Sequence, residues 1–356
     1  MPHSTPTVPN ESSPPAAYWK AVGDRILVAP LCWGLGHATR CIPLIKRLLD
    51  EKKTVVVASD GAALALLRAE LPQLTMVELP PYDIRYPTSN MTFNMILQVP
   101  KIVRAVRREH LFLQKIIAQF QIETVISDNR YGCYSAATRN IFLTHQLNLQ
   151  APFGGDFLSA AQRFFIRPFD EIWIPDFATE PNLSGKLSHG GTLPTQKIRY
   201  IEPLTRMIFL KNIDIKYDVA VVLSGPEPQR SLLEKKIVAQ ASELPQYRFL
   251  LVQGLAQMPP TSQTQQNIHT VSYLTSEDLN VAIAASRMVV ARAGYSTIMD
   301  LSVLQKKALL VPTPGQTEQE YLASFFSKKM DFVTQTQKNL NLKVVGRQEI
   351  KEGSLN

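Results

Sequence analysis

Residues 25–45 read RILVAPLCWGLGHATRCIPLI, and this one stretch decides the fold class. Arg25–Pro30 is a short, continuously apolar run, the mark of a strand buried on both faces. It enters a turn holding Gly34 and Gly36. From Ala38 to Glu51 the apolar residues Ile42, Leu44, Ile45, Leu48 and Leu49 recur at helical spacing. A strand, a glycine turn and a helix form the first unit of a doubly wound parallel sheet. The same rhythm continues through strands at Thr54–Ser59, Thr75–Glu78, Thr124–Ser127, Asn140–Thr144 and Glu171–Ile174, with a helix at Ala62–Glu70. It restarts at Asp218–Leu223 (DVAVVL), followed by a helix over Arg230–Glu243 and strands at Phe249–Val252, His269–Val271, Met288–Ala291 and Ala308–Val311.

The prediction is therefore an α/β chain of two tandem doubly wound, Rossmann-like domains facing a cleft, hinged within Leu204–Tyr217. Residues 1–18, with five prolines in the first fifteen positions, form a disordered leader. Residues 19–210 make an N-terminal domain and 211–335 a C-terminal domain. Residues 336–356 are either a polar tail or a helix that returns.

Composition narrows the function. The 356 residues carry 38 Lys+Arg against 30 Asp+Glu, a formal net charge of +8, which suits acidic ligands but is too diffuse to indicate nucleic acid. No apolar run approaches the roughly 18 residues of a membrane span. The start MPHSTPTVPNESSPP has neither the charged region nor the apolar core of a signal peptide. Three scattered cysteines, Cys32, Cys41 and Cys133, suit neither a disulfide framework nor a zinc site, so a cytoplasmic protein is expected.

Chemistry-bearing residues gather where strands end. Gly34 and Gly36 free backbone amides to face an anion, and His37 beside them is a candidate base. The glycines form half of a dinucleotide fingerprint, with Thr39 in place of the third glycine and Asp60 as a candidate ribose acid, which keeps a dehydrogenase as a rival. Asp128, in Ser127-Asp128-Asn129-Arg130-Tyr131-Gly132, either orients a base or binds a sugar hydroxyl, unless it merely makes a turn. Thr144-His145-Gln146 shares that position. Ser224 and Gly225 open a phosphate-sized turn whose prolines remove amide donors. Arg292, Gly294, Ser296 and Thr297 lead into a helix with donors aimed at a diphosphate, and Asp300 on that helix suits two ribose hydroxyls. Gln319 and Glu320 open a further helix and suit a hydroxyl-rich sugar.

The runs RAGYSTIMD and LLVPTPGQTEQEYLA resemble the donor signature of GT-B glycosyltransferases related to the GlcNAc transferase of peptidoglycan lipid II synthesis, with a C-terminal domain of the glycosyltransferase family 28 type. GLGHATR resembles that family's glycine-rich loop with its histidine. ISDNRYG, FLTHQL, IWIPDF and LSGKLSH look closest to uncharacterised glycosyltransferase-like proteins of Bacteroidetes. The resemblance runs from about Arg25 to Leu322. It implies Asp300 as ribose ligand where the peptidoglycan enzyme has Glu, and Gly294, Ser296 and Thr297 as the diphosphate turn. Gln319 and Glu320 stand for a Gln-Gln pair on the donor sugar, with Glu320 a departure. Ser224 and Gly225 match a donor-domain loop. Arg206 approximates the diphosphate arginine, displaced by one position, and His37 matches the candidate base.

The implied reaction is transfer of an N-acetylhexosamine from a UDP-sugar to an acceptor hydroxyl, with inversion, His37 or Asp128 taking the proton and no metal or other cofactor taking part. The absence of an Asp-x-Asp element agrees with that. A hydrolase or epimerase of the same fold, or a non-catalytic nucleotide-sugar-binding protein, is the alternative. The expected acceptor is lipid-linked or a glycan of the cell envelope. Ile96–Phe120 places Lys101, Arg104, Arg107, Arg108 and Lys115 among apolar residues, a pattern that is either an ordinary solvated helix face or a peripheral contact with the anionic inner membrane, interrupted by Pro100 and Glu109.

Overall fold

A computed structural model describes Trp19 and residues 22–33, 35–82, 91–149, 155–190, 198–255, 259, 261–327 and 332–344, with only the backbone at 91–99, 155–158 and 160. The leader 1–18, Gly34, the side chains of Ile96, Leu97 and Val99, and the tail beyond residue 344 lie outside the described residues. The chain divides into two compact units, Met1–Arg206 and Met207–Asn356.

The first unit runs β1 (Arg25–Pro30), α1 (Gly36–Asp50), β2 (Thr54–Ser59), α2 (Gly61–Glu70), β3 (Thr75–Glu78), α3 (Met91–Phe120), β4 (Thr124–Asp128), β5 (Arg139–Leu143), α4 (Gly155–Ile166), β6 (Glu171–Ile174) and β7 (Ile198–Tyr200). Its sheet has the order β3-β2-β1-β4-β5-β6-β7 with every pair parallel. The near-continuous apolar strands follow from burial on both faces, where helices cover Leu27, Ala29, Val56 and Val125. Strand order reverses between β1 and β4, and the loops leaving those two strands diverge there. Helix α1 begins two residues earlier than its apolar periodicity indicates, so His37 and Arg40 lie in its first turns, on one face.

Helix α3 passes through Pro100 without ending. Glu109 does not interrupt it either. That carboxylate is fully buried and accepts hydrogen bonds from Tyr82 Oη at 2.6 Å, the Gly132 amide at 3.0 Å and Arg130 Nε at 2.5 Å.

The second unit runs β8 (Tyr217–Val222), α5 (Gln229–Ser242), β9 (Phe249–Val252), β10 (Ser262–Gln265), β11 (Ile268–Val271), α6 (Ser276–Ala284), β12 (Ser286–Ala291), α7 (Tyr295–Leu304), β13 (Lys307–Leu310), α8 (Thr317–Phe326) and β14 (Phe332–Thr334). Its sheet order is β10-β11-β9-β8-β12-β13-β14, parallel except for the β10–β11 pair. The reversal here falls between β8 and β12. Residues 335–344 dock on α5: Gln240 Nε2 donates to the Leu340 carbonyl at 2.8 Å and its Oε1 accepts from the Leu342 amide at 2.8 Å. Leu340 and Leu342 join the apolar core, so this part of the polar C-terminal stretch is not frayed.

Candidate functional site

In the first unit the functional side chains converge where strand order reverses. Pro30 of β1 pairs with Asp128 of β4, so the start of α1 comes down on the end of β4. Asp128 has no exposed surface. Its Oδ1 lies 2.8 Å from His37 Nδ1, and Arg40 grips it with both arms of the guanidinium, Nε donating to Oδ2 at 2.6 Å and Nη2 to Oδ1. Burial alone would push this carboxyl's pKa up, but the Arg40 charge and then His37 hold it well below the usual carboxylate range. Arg40 also reaches His145, Nη1 standing 2.6 Å from the imidazole Nδ1.

A carboxylate with no exposed surface does not meet an acceptor hydroxyl, whereas it orients His37, whose side chain is 14% exposed. The bland reading of Asp128 as a turn-former is displaced by the ion pair. Arg40 carried no signal of its own beyond its spacing, three residues after His37 on a helix. His145 joins the cluster through it.

The dehydrogenase rival loses its acid. Asp60 is paired with Arg130 Nη1 at 2.5 Å, and Arg130 also bonds Glu109 and the Pro80 carbonyl at 3.2 Å, a closed structural network.

In the second unit the reversal between β8 and β12 collects a different set. Arg292, following β12, is 1% exposed and among the described residues meets no carboxylate; its Nη1 donates to the carbonyls of Val311 and Pro312 at 3.2 Å each and its Nη2 to that of Gln229 at 2.8 Å. Its Nε is buried with no partner among the described residues, and so is the hydroxyl of Thr313, 2% exposed, after β13. Burial lowers the Arg292 pKa to about 10, so it is charged at neutral pH. Both orphaned donors look onto Gly225: a Cβ there would lie 3.6 Å from Thr313 Oγ1 and 3.9 Å from Arg292 Nε. Gly225 has φ +98°, a conformation that glycine takes without strain. A buried cation and a buried hydroxyl lacking acceptors, beside a missing side chain, form a cradle for an anion.

The turn of Ser224 and Gly225 is thus brought beside Arg292 and Thr313. The N terminus of α5 is already covered by Glu227, whose carboxylate accepts from the Ser231 amide at 3.2 Å and would repel a phosphate. Helix α7 differs. Gly294 is its N-cap, no side chain caps it and its first turn has no acidic residue, so its positive end suits a diphosphate. Ser296 and Thr297 sit in that first turn and Asp300 further along, all part-exposed.

Helix α8 carries Glu318 and Glu320 in its first turn, which disfavours a phosphate there. Gln319 Oε1 accepts from the Thr313 amide at 2.8 Å and Glu320 Oε1 from that of Gly315 at 3.3 Å, so both hold the loop that presents Thr313. Arg206 belongs to the first unit, where its Nη1 lies 3.4 Å from Glu70 Oε1. Thr313 escaped the sequence reading because a threonine between two prolines reads as loop punctuation.

Residues 220–348 match the glycosyltransferase family 28 C-terminal domain. An uncharacterized glycosyltransferase of Methanosarcina acetivorans is 24% identical over 313 residues, 81% of this chain and 79% of that protein. The UDP-N-acetylglucosamine–N-acetylmuramyl-(pentapeptide) pyrophosphoryl-undecaprenol N-acetylglucosamine transferase of Methylobacterium sp. strain 4-46 is 44% identical, but over only 48 residues, 14% of this chain and 13% of that one. Among solved structures, the glycosyltransferase SnogD from Streptomyces nogalater superposes with a TM-score of 0.60 at 14% identity, covering 91% of this chain and 90% of that chain. MurG of Acinetobacter baumannii gives 0.51 at 12%, covering 92% and 90%.

These matches make the chain an enzyme of the glycosyltransferase class with the GT-B fold of two Rossmann-like units. They also correct two expectations. The full-length relatives are proteins of Methanosarcina rather than Bacteroidetes, and the likeness in sequence to the lipid II enzyme is confined to a short stretch.

Proposed function

We propose that this protein transfers a sugar, an N-acetylhexosamine, from a UDP-linked donor to an acceptor hydroxyl with inversion at the anomeric carbon. The observation that carries the reading is the Arg292–Thr313 pair, two buried donors with no acceptor, beside Gly225 in a family 28 domain. The diphosphate fits them and the N terminus of α7, whose first turn has no acidic residue, with Asp300 on the ribose. His37 takes the proton of the acceptor hydroxyl as its oxygen attacks the anomeric carbon. The bond to the diphosphate breaks, and the nucleoside diphosphate leaves with the electron pair, stabilised by Arg292 and the helix dipole. No metal is assigned a part, because the cation at the leaving group is supplied by the chain itself. Among the described residues no cluster of His, Cys, Asp and Glu suits a metal ion.

The acceptor is lipid-linked or a glycan. No described helix is long and apolar enough to cross a membrane. Exposed Arg104, Arg107, Arg108 and Lys115 on α3, with Leu111 68% exposed among them, support peripheral contact with an anionic inner-membrane surface from the cytoplasm.

The test is thermal shift against UDP, GDP, TDP, CMP and their sugars, with NAD as control. A ligand at about 100 times its Kd stabilises by roughly 2.7 kcal/mol. The expected result is a selective shift with one UDP-sugar that Asp300→Ala abolishes. A shift with NAD alone would overturn the reading. His37→Ala then separates an enzyme, which loses turnover and keeps donor binding, from a binder with no turnover in either form.

A further inference from the structure

The sequence runs IWIPDF (172–177) and LSGKLSH (183–189) meet in the first unit, and the mechanism uses neither. Asp176, two residues past β6, has no exposed surface. Its Oδ1 accepts from the Phe177 and Leu183 amides at 2.8 Å each, and its Oδ2 from the Ser184 amide at 2.8 Å and from the Ser184 hydroxyl. Those four donors fill the lone-pair sites of a carboxylate. His189 Nε2 nevertheless stands 3.1 Å from Oδ2, so the contact orients the imidazole and is not needed to satisfy the acid. Burial pushes the Asp176 carboxyl up, but hydrogen bonds from His189, from Ser184 and from the Leu183 amide hold it below its ordinary value.

A carboxylate only accepts, so the shared proton sits on His189 Nε2 and the neutral ring offers a lone pair at Nδ1. Among the described residues Nδ1 has no hydrogen-bond partner. The ring lies on that of Tyr200, with centroids 4.8 Å apart and planes at 20°, and the side chain is 19% exposed. Tyr200 is fixed in turn, its Oη donating to the Ser188 carbonyl at 3.0 Å. Next to His189, a Cβ on Gly190 would meet nothing within 4 Å among the described residues.

Position narrows the ligand. Asp176 follows β6 and Tyr200 ends β7, so the pair stands at the same end of the sheet as Asp128, the end at which parallel strands receive ligands. The Leu187 carbonyl accepts from the Leu147 and Asn148 amides at 2.8 and 2.9 Å, and Asn148 Nδ2 donates to the Gly190 carbonyl at 3.4 Å. The loop of His189 is thereby laid along the segment that follows β5. With β5 between them, β4 and β6 stand about 10 Å apart, too far for His37 and His189 to share one hydroxyl. A lone pair calls for a donor. A sugar hydroxyl supplies one, and an ionised phosphate, which offers only acceptors, does not. Resting on the reading of His37 as base for the acceptor hydroxyl, we propose that His189 is a second acceptor subsite, its Nδ1 taking a hydroxyl of an uncharged sugar unit beyond the reacting one. The acceptor is then at least a disaccharide.

The experiment is histidine-ring nitrogen NMR on the full-length chain at about pH 8, above the ordinary imidazole range, with His189 assigned by His189→Phe and His189→Gln. Cellobiose, maltose, N,N′-diacetylchitobiose and inorganic phosphate are the probes, each in millimolar excess. The free chain is expected to show His189 as the Nε2–H form. At least one disaccharide moves Nδ1 in the direction of an accepted hydrogen bond, and phosphate leaves it in place. His189→Phe, which keeps a ring on Tyr200, weakens that disaccharide by about 2- to 12-fold and leaves UDP affinity unchanged. A proton on Nδ1, a ring indifferent to all three disaccharides, a phosphate shift as large as theirs, or a phenylalanine variant that binds the sugar as the parent does would overturn the proposal. Should His189→Phe fail to fold, the wild-type ring shifts decide it. A His37→Gln chain that releases UDP from UDP-N-acetylglucosamine at the parent rate would sink the base, while the ring shifts judge His189 on their own.

Discussion

Replacing Thr313 by valine is expected to move stability and binding in opposite directions. The side chain is 2% exposed and its hydroxyl has no hydrogen-bond partner among the described residues. A buried polar group left unsatisfied costs about 1–3 kcal/mol. Thr313→Val keeps the shape, removes the orphan and raises unliganded stability by about 1–2 kcal/mol. For a unit of this size that is roughly 2–8 °C in Tm. The Thr313 amide donates to Gln319 through the backbone and survives the change. A nucleoside diphosphate, by contrast, loses a hydrogen bond to a charged acceptor, worth about 1.5–3 kcal/mol, so its Kd rises by roughly 10- to 150-fold. Urea unfolding of the unliganded chains and calorimetric titration with UDP read the two effects separately. A valine variant less stable than the parent, or one binding UDP within about twofold of it, would refute the reasoning, because a hydroxyl already satisfied inside the fold behaves in those ways.

Three further outcomes follow from single contacts. Asp128→Asn strips the counter-ion from buried Arg40 and lowers stability at pH 7 by about 3–5 kcal/mol. The folded carboxyl titrates below its ordinary 3.8, so its contribution is complete above about pH 4 and lost as pH falls; urea melts at pH 7 and pH 3.5 should show the gap between parent and variant narrowing in acid. Gly132→Ala puts a Cβ 2.4 Å from the Val106 carbonyl oxygen and 2.7 Å from Glu109 Oε2, both on α3, and should cost about 1–3 kcal/mol, read as a fall in Tm. Gly225→Ala fits its surroundings sterically but holds alanine at φ +98° and fills the space before Arg292. A loss of about 1–2 kcal/mol is expected, with UDP affinity down more than about tenfold; unchanged affinity would place the anion elsewhere.

The parallel cores were legible because both-face burial leaves no polar residue after the first position of runs such as RILVAP and DVAVVL. Strand β10 was not. Its residues SQTQ are all exposed, and they form a strand only because β11 offers an edge to pair with. Strands β7 and β14 are three residues each, too short for a period to show. At the site, Asp128 and Arg292 stood out as polar residues where apolar strands end, and His37 as one beside the glycine turn that follows the first strand. Arg40 and Thr313 did not, since each owes its meaning to atoms distant in sequence: Asp128 is 88 residues from Arg40. Glu109 misled for the same reason. On a helix surface it reads as a break in the apolar face, and only the fold brings Arg130 and Gly132 to it.

Three buried arginines in one chain show what burial of a charge is for. Among the described residues Arg130 meets the carboxylates of Glu109 and Asp60, Arg40 meets that of Asp128, and Arg292 meets none. Desolvation penalises all three, and only a partner offsets it. Arg130 is therefore closed chemistry, and removing it leaves two stranded carboxylates. Arg292 is open chemistry: its charge is held by three carbonyls, and its removal relieves a desolvated cation while losing three modest hydrogen bonds. The two substitutions should separate cleanly. Arg130→Met is expected to cost about 3–5 kcal/mol in urea unfolding and to leave the UDP affinity of the folded fraction unchanged. Arg292→Met is expected to change unliganded stability by less than about 2 kcal/mol and to weaken UDP by at least roughly tenfold. If Arg292→Met instead unfolds the protein as Arg130→Met does and the folded remainder binds UDP normally, the unpaired cation is a structural fixture and the anion cradle loses its centre. If the separation holds, a fold that carries an unmatched buried positive charge is completed by the diphosphate it binds.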